Sequence, residues 1–119
     1  MIQAREVFKG MYPEGPARPQ SIVWKVEEDL PYFNGHFPGT PILPAIAIID
    51  ASTYVLQRAL DQSNLRLKAI TAAKFMSPIL PNQTVRIELQ KQNETTWDIE
   101  WTDGAEPTPR LLATLCVQL

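Results

Sequence analysis

The sequence contains few of the residues that build disulfides and metal sites. Among its 119 residues there is one cysteine, Cys116, and one histidine, His36. A single cysteine excludes an internal disulfide bond and a zinc site made of several cysteines. We expect neither a cofactor nor a metal ion in this protein.

Long apolar runs and an excess of basic charge are also missing. No window reaches the length of a membrane-spanning helix. Residues 1–10 mix charged and apolar side chains, unlike a signal peptide. The formal net charge is −2, and Lys and Arg are scattered, so a nucleic-acid-binding surface is not indicated. We expect a cytoplasmic protein without a membrane span or a nucleic-acid partner.

The length and the 45% hydrophobic content are typical of a single domain, here residues 1–119. Residues 1–9 could form a short strand or a helix turn, and the prolines and glycine of residues 13–19 interrupt regular structure. Residues 21–26 are β-branched and roughly alternating, which predicts a strand. Four further strands are predicted from alternation and turn signals, at residues 66–75, 84–90, 95–101 and 110–119.

Residues 44–60 contain no glycine, and no proline after Pro44, and they are apolar on most sides. This pattern predicts a long helix that is buried all round, with Pro44 in its first turn. The order of a strand, a long helix and about four strands indicates an α+β domain. We expect an antiparallel sheet that wraps around a single central helix.

The segment of residues 34–44, NGHFPGTPILP, holds the only histidine in a turn-rich loop directly before this helix. Histidine is the side chain whose unperturbed pKa lies nearest to neutrality. Asp50 follows His36 by fourteen residues and lies in the apolar helix. The two side chains indicate a paired acid and base, which could meet within one chain or across a dimer.

His36, the prolines and glycines around it, and the spacing to Asp50 resemble the signature of the β-hydroxyacyl-acyl-carrier-protein dehydratases. Residues 73–81 are similar to a second segment of that family, a basic-aromatic strand end followed by a proline-bounded loop. The resemblance runs from about Ser21 to the C-terminus. It implies the hotdog fold, in which a curved antiparallel sheet wraps around one long α-helix.

The resemblance also implies a reaction. A (3R)-3-hydroxyacyl group, carried as a thioester on acyl carrier protein or coenzyme A, would lose water and become the trans-2-enoyl thioester. His36 would remove the α-proton, and Asp50 would help the β-hydroxyl group leave. In the family the two residues come from different subunits, so a homodimer, or a higher oligomer of dimers, is expected.

Four further residues are expected at the substrate. The backbone N–H of Ala45, at the start of the helix, would hold the thioester carbonyl, and Phe37, Pro44 and Tyr54 would lie beside the acyl group. The family usually has glycine where Ala45 stands and often has glutamine where Tyr54 stands.

Two alternatives remain open. A hotdog acyl thioesterase could also use a helix carboxylate, and release of thiol from an acyl thioester without a 3-hydroxyl group would favour it. A non-catalytic hotdog module that binds acyl groups would bind the thioester without turnover.

Overall fold

The structure of the chain is a computed structural model that describes residues 4–15, 20–34, 39, 41–104 and 108–119. It begins with a one-turn helix and has one long helix, which is followed by four of the six strands. The elements are α1 (Ala4–Val7), β1 (Tyr12–Pro13), β2 (Ser21–Lys25), a 3-10 helix (Pro31–Phe33), α2 (Ala45–Ala59), β3 (Ala69–Phe75), β4 (Thr84–Lys91), β5 (Thr96–Thr102) and β6 (Leu111–Gln118).

The six strands form one sheet in the order β1-β2-β4-β5-β6-β3, and every neighbouring pair is antiparallel. The clean alternation of β4 arises because Val85, Ile87 and Leu89 point into the core while the residues between them do not. The sheet and its long helix confirm the predicted α+β class. Strands β1 and β3 are the two edges.

In the N-terminal region the structure decides between the two elements expected for residues 1–9, and it contradicts the prediction made for the prolines that follow. Of the two structures expected for residues 1–9, the helix turn is the one observed, as α1. The prediction that the following prolines exclude regular structure is wrong for β1, where Tyr12 and Pro13 pair with Val23 and Ile22. A proline without an N–H group is tolerated there because β1 lies at the edge of the sheet.

Strand β3 begins later than predicted, at Ala69 rather than at residue 66. The N–H of Lys68 already donates to the carbonyl of Gln118 at 2.7 Å, so the chain contacts β6 before the regular ladder starts. The other predicted strands differ from the observed ones by at most one residue at either end.

Helix α2 begins after Pro44, whose carbonyl accepts from the N–H groups of Ala47 at 3.0 Å and Ile48 at 3.3 Å. It ends at Ala59, within one residue of the predicted end of the apolar run at residue 60. Asp61 takes a φ of +52°, the left-handed conformation that commonly ends a helix. Within the described ranges, no helix is long and apolar enough to cross a lipid bilayer.

The sheet covers only one side of α2. The buried residues of the helix are Ala47, Ile48, Ala51, Ser52, Val55 and Leu56. The opposite side, called here the open face of α2, consists of Ile46, Ile49, Asp50, Thr53 and Gln57. Ile46 is 54% exposed, and the other four are half-buried. The prediction of a helix buried all round is therefore wrong for this chain on its own, because Ile46 is exposed and the described elements cover the open face only in part.

Two fully buried tryptophans connect the sheet to the helices. The rings of Trp24 and Trp101 pack edge to face, with centroids 6.1 Å apart. The indole N–H of Trp24 donates to the carbonyl of Lys9 at 3.1 Å. The indole N–H of Trp101, on β5, donates to the hydroxyl oxygen of Ser52, on α2, at 3.0 Å. Both buried indole N–H groups therefore have a hydrogen-bond acceptor, as buried polar groups generally do.

We expect Ser52→Ala to destabilise the fold by about 1–3 kcal/mol, because it leaves the Trp101 N–H buried without an acceptor. Urea unfolding followed by tryptophan fluorescence measures the change. Ser63→Ala is the matched control, since Ser63 is exposed and its change should stay within about 0.5 kcal/mol. Equal stability of the two variants would contradict the assigned role of the bond.

Candidate functional site

Asp50 lies on the open face of α2 at the base of an open pocket. The pocket has a volume of about 310 Å³, at the lower end of the range for small-molecule sites. Three elements contribute its walls: the end of α1, the 3-10 helix and α2. The lining residues are Val7, Phe8, Tyr32, Asp50, Thr53, Tyr54 and Gln57. A carboxylate that is half-buried in such a pocket can be reached by a bound molecule.

Tyr32 bonds directly to this carboxylate. Its hydroxyl group donates to Oδ2 of Asp50 at 2.6 Å, a short distance typical of a bond to a charged acceptor. Burial raises the pKa of the Tyr32 hydroxyl well above its ordinary range, and the hydrogen bond to Asp50 and the charge of its carboxylate raise this pKa further. Tyr32 therefore remains protonated at neutral pH and acts as a hydrogen-bond donor.

Tyr54, expected at the substrate, shares the pocket with Asp50. Its ring lies between the ring of Phe8, 5.7 Å away between centroids, and the guanidinium group of Arg58, 5.7 Å from the ring centre. These contacts hold Tyr54 as part of the pocket wall.

Ala45 and Pro44 lie elsewhere on the helix. Five residues of α-helix separate Ala45 from Asp50 by about 140° of rotation and about 7 to 8 Å along the axis. Ala45 lines a different, apolar groove that also contains Ile42, Phe75 and Met76. Pro44 is half-buried and caps the helix. One subunit thus does not bring Ala45 and Asp50 into the same pocket.

His36 and Phe37 lie outside the described residues. The structure describes residues on both sides of them. Tyr32 precedes His36 by four residues and contacts Asp50, and Gly39 follows Phe37 by two residues. Gly39 has a φ of +83°, a conformation that glycine adopts without strain. Tyr32 is thus the described pocket residue that lies nearest to His36 in the sequence.

Sequence reasoning missed Tyr32 and Phe8. Tyr32 stands immediately before the motif, so its position was a usable signal for an added hydroxyl group near the site. No comparable signal marks Phe8, which lies 42 residues before Asp50. In the described part of the chain, no group of three or more His, Cys, Asp and Glu side chains could hold a metal ion.

Comparisons with known protein sequences give a consistent family. Residues 6–107 match the sequence model of the ApeI-like family, described as "ApeI dehydratase". The chain is 36% identical over 67 residues to the 3-hydroxyacyl-[acyl-carrier-protein] dehydratase FabZ of Solibacter usitatus, covering 50% of this chain and 41% of that protein. It is 34% identical over 68 residues to FabZ of Myxococcus xanthus, covering 50% and 44%. The chain thus spans about half the length of the curated relatives it matches.

Solved structures agree in fold. An uncharacterised protein from Erwinia carotovora subsp. atroseptica superposes with a TM-score of 0.71 at 28% identity, covering 82% of this chain and 79% of that one. The dehydratase heterocomplex ApeI:P from Xenorhabdus doucetiae gives 0.69 at 21% identity, covering 82% and 83%. The PaaI protein of E. coli gives 0.56 at 16% identity, covering 82% and 71%.

These likenesses confirm the hotdog fold that the sequence motif implied. The family match begins at residue 6, earlier than the expected start near Ser21, and so includes part of α1 and all of β1. Because it covers 102 of the 119 residues, the chain belongs to the ApeI-like dehydratase family.

Proposed function

We propose that this chain dehydrates a (3R)-3-hydroxyacyl thioester on acyl carrier protein to the trans-2-enoyl thioester. His36 is the base and Asp50 the acid, in sites shared by the two subunits of a homodimer. The observation that carries the proposal is the placement of Asp50 in a pocket that also contains Tyr32, four residues before His36 in the sequence. The FabZ relatives, named for the same reaction on the same carrier, support it.

The reaction requires two proton transfers at neighbouring carbon atoms. His36 takes the proton from the α-carbon, and the electrons of that C–H bond form the new double bond. The bond between the β-carbon and its oxygen breaks, and the proton of Asp50 goes to the departing oxygen, which leaves as water. The proton on His36 then returns to the carboxylate for the next turnover.

The developing negative charge on the thioester oxygen needs a donor, and the backbone N–H of Ala45 is proposed for this role. Ala45 is the first residue of α2, where N–H groups have no acceptor within the helix and the helix dipole is positive. A preorganised donor of this kind typically contributes about 3 kcal/mol in the transition state.

The separation of Ala45 from Asp50 within one subunit favours a site built from two subunits. His36 precedes the helix and Ala45 begins it, and both would come from one subunit. Asp50 would come from the helix of the other subunit. The open face of α2, which the described elements of its own chain cover only in part, would then face the partner.

Strand β3 is the proposed contact between the subunits. It is an edge strand, and six of its seven residues are exposed, so neither of its faces is covered. The large exposed apolar side chains in the described part of the chain, apart from Tyr12, lie on β3, in the loop that follows it, or at the start of α2. Pairing of two β3 edges would bury these side chains and satisfy the free backbone groups.

We expect His36→Ala and Asp50→Asn each to lower turnover at least about 100-fold, the usual minimum for removing a general acid or base. Mass spectrometry of the carrier-bound acyl chain measures the loss of water. The matched control is Asp61→Asn, because Asp61 is exposed beyond the end of α2 and asparagine accepts its positive φ.

Three outcomes of this assay would overturn the assignment. Unchanged turnover in either variant would remove that residue from the mechanism. Thiol release from an acyl thioester without a 3-hydroxyl group would instead identify a thioesterase. Binding of the thioester by the wild-type chain without turnover would identify a non-catalytic acyl-binding module.

Complementation tests whether the site is shared. A heterodimer of a His36→Ala chain and an Asp50→Asn chain contains one complete site if the two residues come from different subunits. We expect about half of wild-type activity from such a heterodimer, purified through two different affinity tags. Activity no greater than that of the two parent homodimers would show that each site lies within one chain.

The combined substitution Ala73→Glu and Phe75→Glu tests the contact at β3. The two residues share one face of the strand, and the added charges should oppose pairing of two copies. We expect sedimentation as a monomer and loss of dehydration. Tyr12→Glu is the control, because Tyr12 is 60% exposed on the opposite edge strand. A dimer that survives the double substitution would contradict the proposed contact.

A further inference from the structure

We infer that Tyr32 is a positioning residue for Asp50: its hydroxyl group holds Oδ2 of the carboxylate and leaves Oδ1 directed to the substrate. The inference rests on the proposed function, because it concerns the step in which Asp50 gives its proton to the leaving hydroxyl group. It adds to that function a residue four positions before His36.

The carboxylate of Asp50 depends on Tyr32 for its orientation. Rotation about the terminal bond of an aspartate side chain meets only low barriers, so a carboxylate on a helix surface turns freely unless it is held. The 2.6 Å bond from Tyr32 holds Oδ2, and no described residue donates to Oδ1. With this single donor, Oδ2 is held by a hydrogen bond and Oδ1 is not.

Tyr32 is itself held by the core. Its ring stacks on the ring of Phe8, with centroids 5.9 Å apart and planes 17° from parallel. Phe8 is 3% exposed and meets the ring of Trp24 edge to face at 5.8 Å. Pro31 begins the 3-10 helix and restricts the backbone just before Tyr32. The hydroxyl group is therefore attached to a rigid support.

The hydroxyl group remains a donor under working conditions, since burial and the carboxylate both raise its pKa. In the described wall of the pocket, the other titratable group is Tyr54, and the charged group next to it is Arg58. Because Oδ2 already accepts from Tyr32, the acid carries its proton on Oδ1. The proton is then placed on the oxygen that Tyr32 does not hold.

Tyr32→Phe tests this role, because it keeps the ring on Phe8 and removes only the oxygen. We expect kcat to fall about tenfold, the lower end of the effect of losing a hydrogen bond to a charged group, with KM nearly unchanged. Tyr12→Phe, at an exposed tyrosine, should change neither.

A second measurement does not depend on activity. Above about pH 10 the unfolded chain loses the Tyr32 proton that the folded chain keeps, so the free energy of unfolding falls as pH rises. Urea unfolding at about pH 9 and pH 11 should show a smaller fall for Tyr32→Phe than for the wild type. In an Asp50→Asn background this difference should shrink but not vanish, because burial still opposes ionisation of Tyr32.

The outcomes separate the two proposals. A wild-type chain that does not dehydrate the thioester overturns the proposed function. An active wild type with an equally active Tyr32→Phe variant overturns the role of Tyr32 alone. A variant that loses melting temperature, with KM raised as well as kcat lowered, has lost only structural support, which also overturns it. A fall in unfolding free energy that is equal in wild type and Tyr32→Phe contradicts the Tyr32–Asp50 bond.

Discussion

The hydrogen bond from Trp101 to Ser52 sets the rotation of α2 against the sheet, and the placement of the candidate site depends on that rotation. Ser52 and Asp50 are two residues apart, so their side chains point about 200° apart around the helix axis. With Ser52 fixed against β5, Asp50 must face away from the core. The carboxylate therefore avoids the large cost of full burial and remains available to a bound molecule.

The fold could be predicted from the sequence wherever a pattern is local. The alternation in β4 and β5 located both strands to within one residue, and the apolar run before Arg58 located α2. Strand β1 could not be predicted, because its two residues have no pattern of their own and form a strand only by pairing with β2. The open face of α2 was missed for a related reason, since apolar composition does not tell which element covers a helix.

The site could be predicted in part. The motif selected Asp50, and the spacing of one helical turn put Tyr54 beside it in the same pocket. The grouping of Ala45 with Asp50 does not hold within one subunit, because helical geometry turns the two residues to different sides. The position of Tyr32 close before the motif was a signal, but its bond to Asp50 also depends on Phe8, from the N-terminal region, which stacks on its ring.

The two edge strands of the sheet differ, and this difference limits how further copies of the chain could extend the sheet. Strand β3 has seven residues, with Lys74 as its only charge, whereas β1 has two residues and includes Pro13. Two chains joined at β3 would present β1 at both outer ends, and the missing N–H of the proline leaves no regular ladder for a third chain. Addition of further chains to the sheet would therefore stop at a pair, so that strand pairing would not extend into fibres.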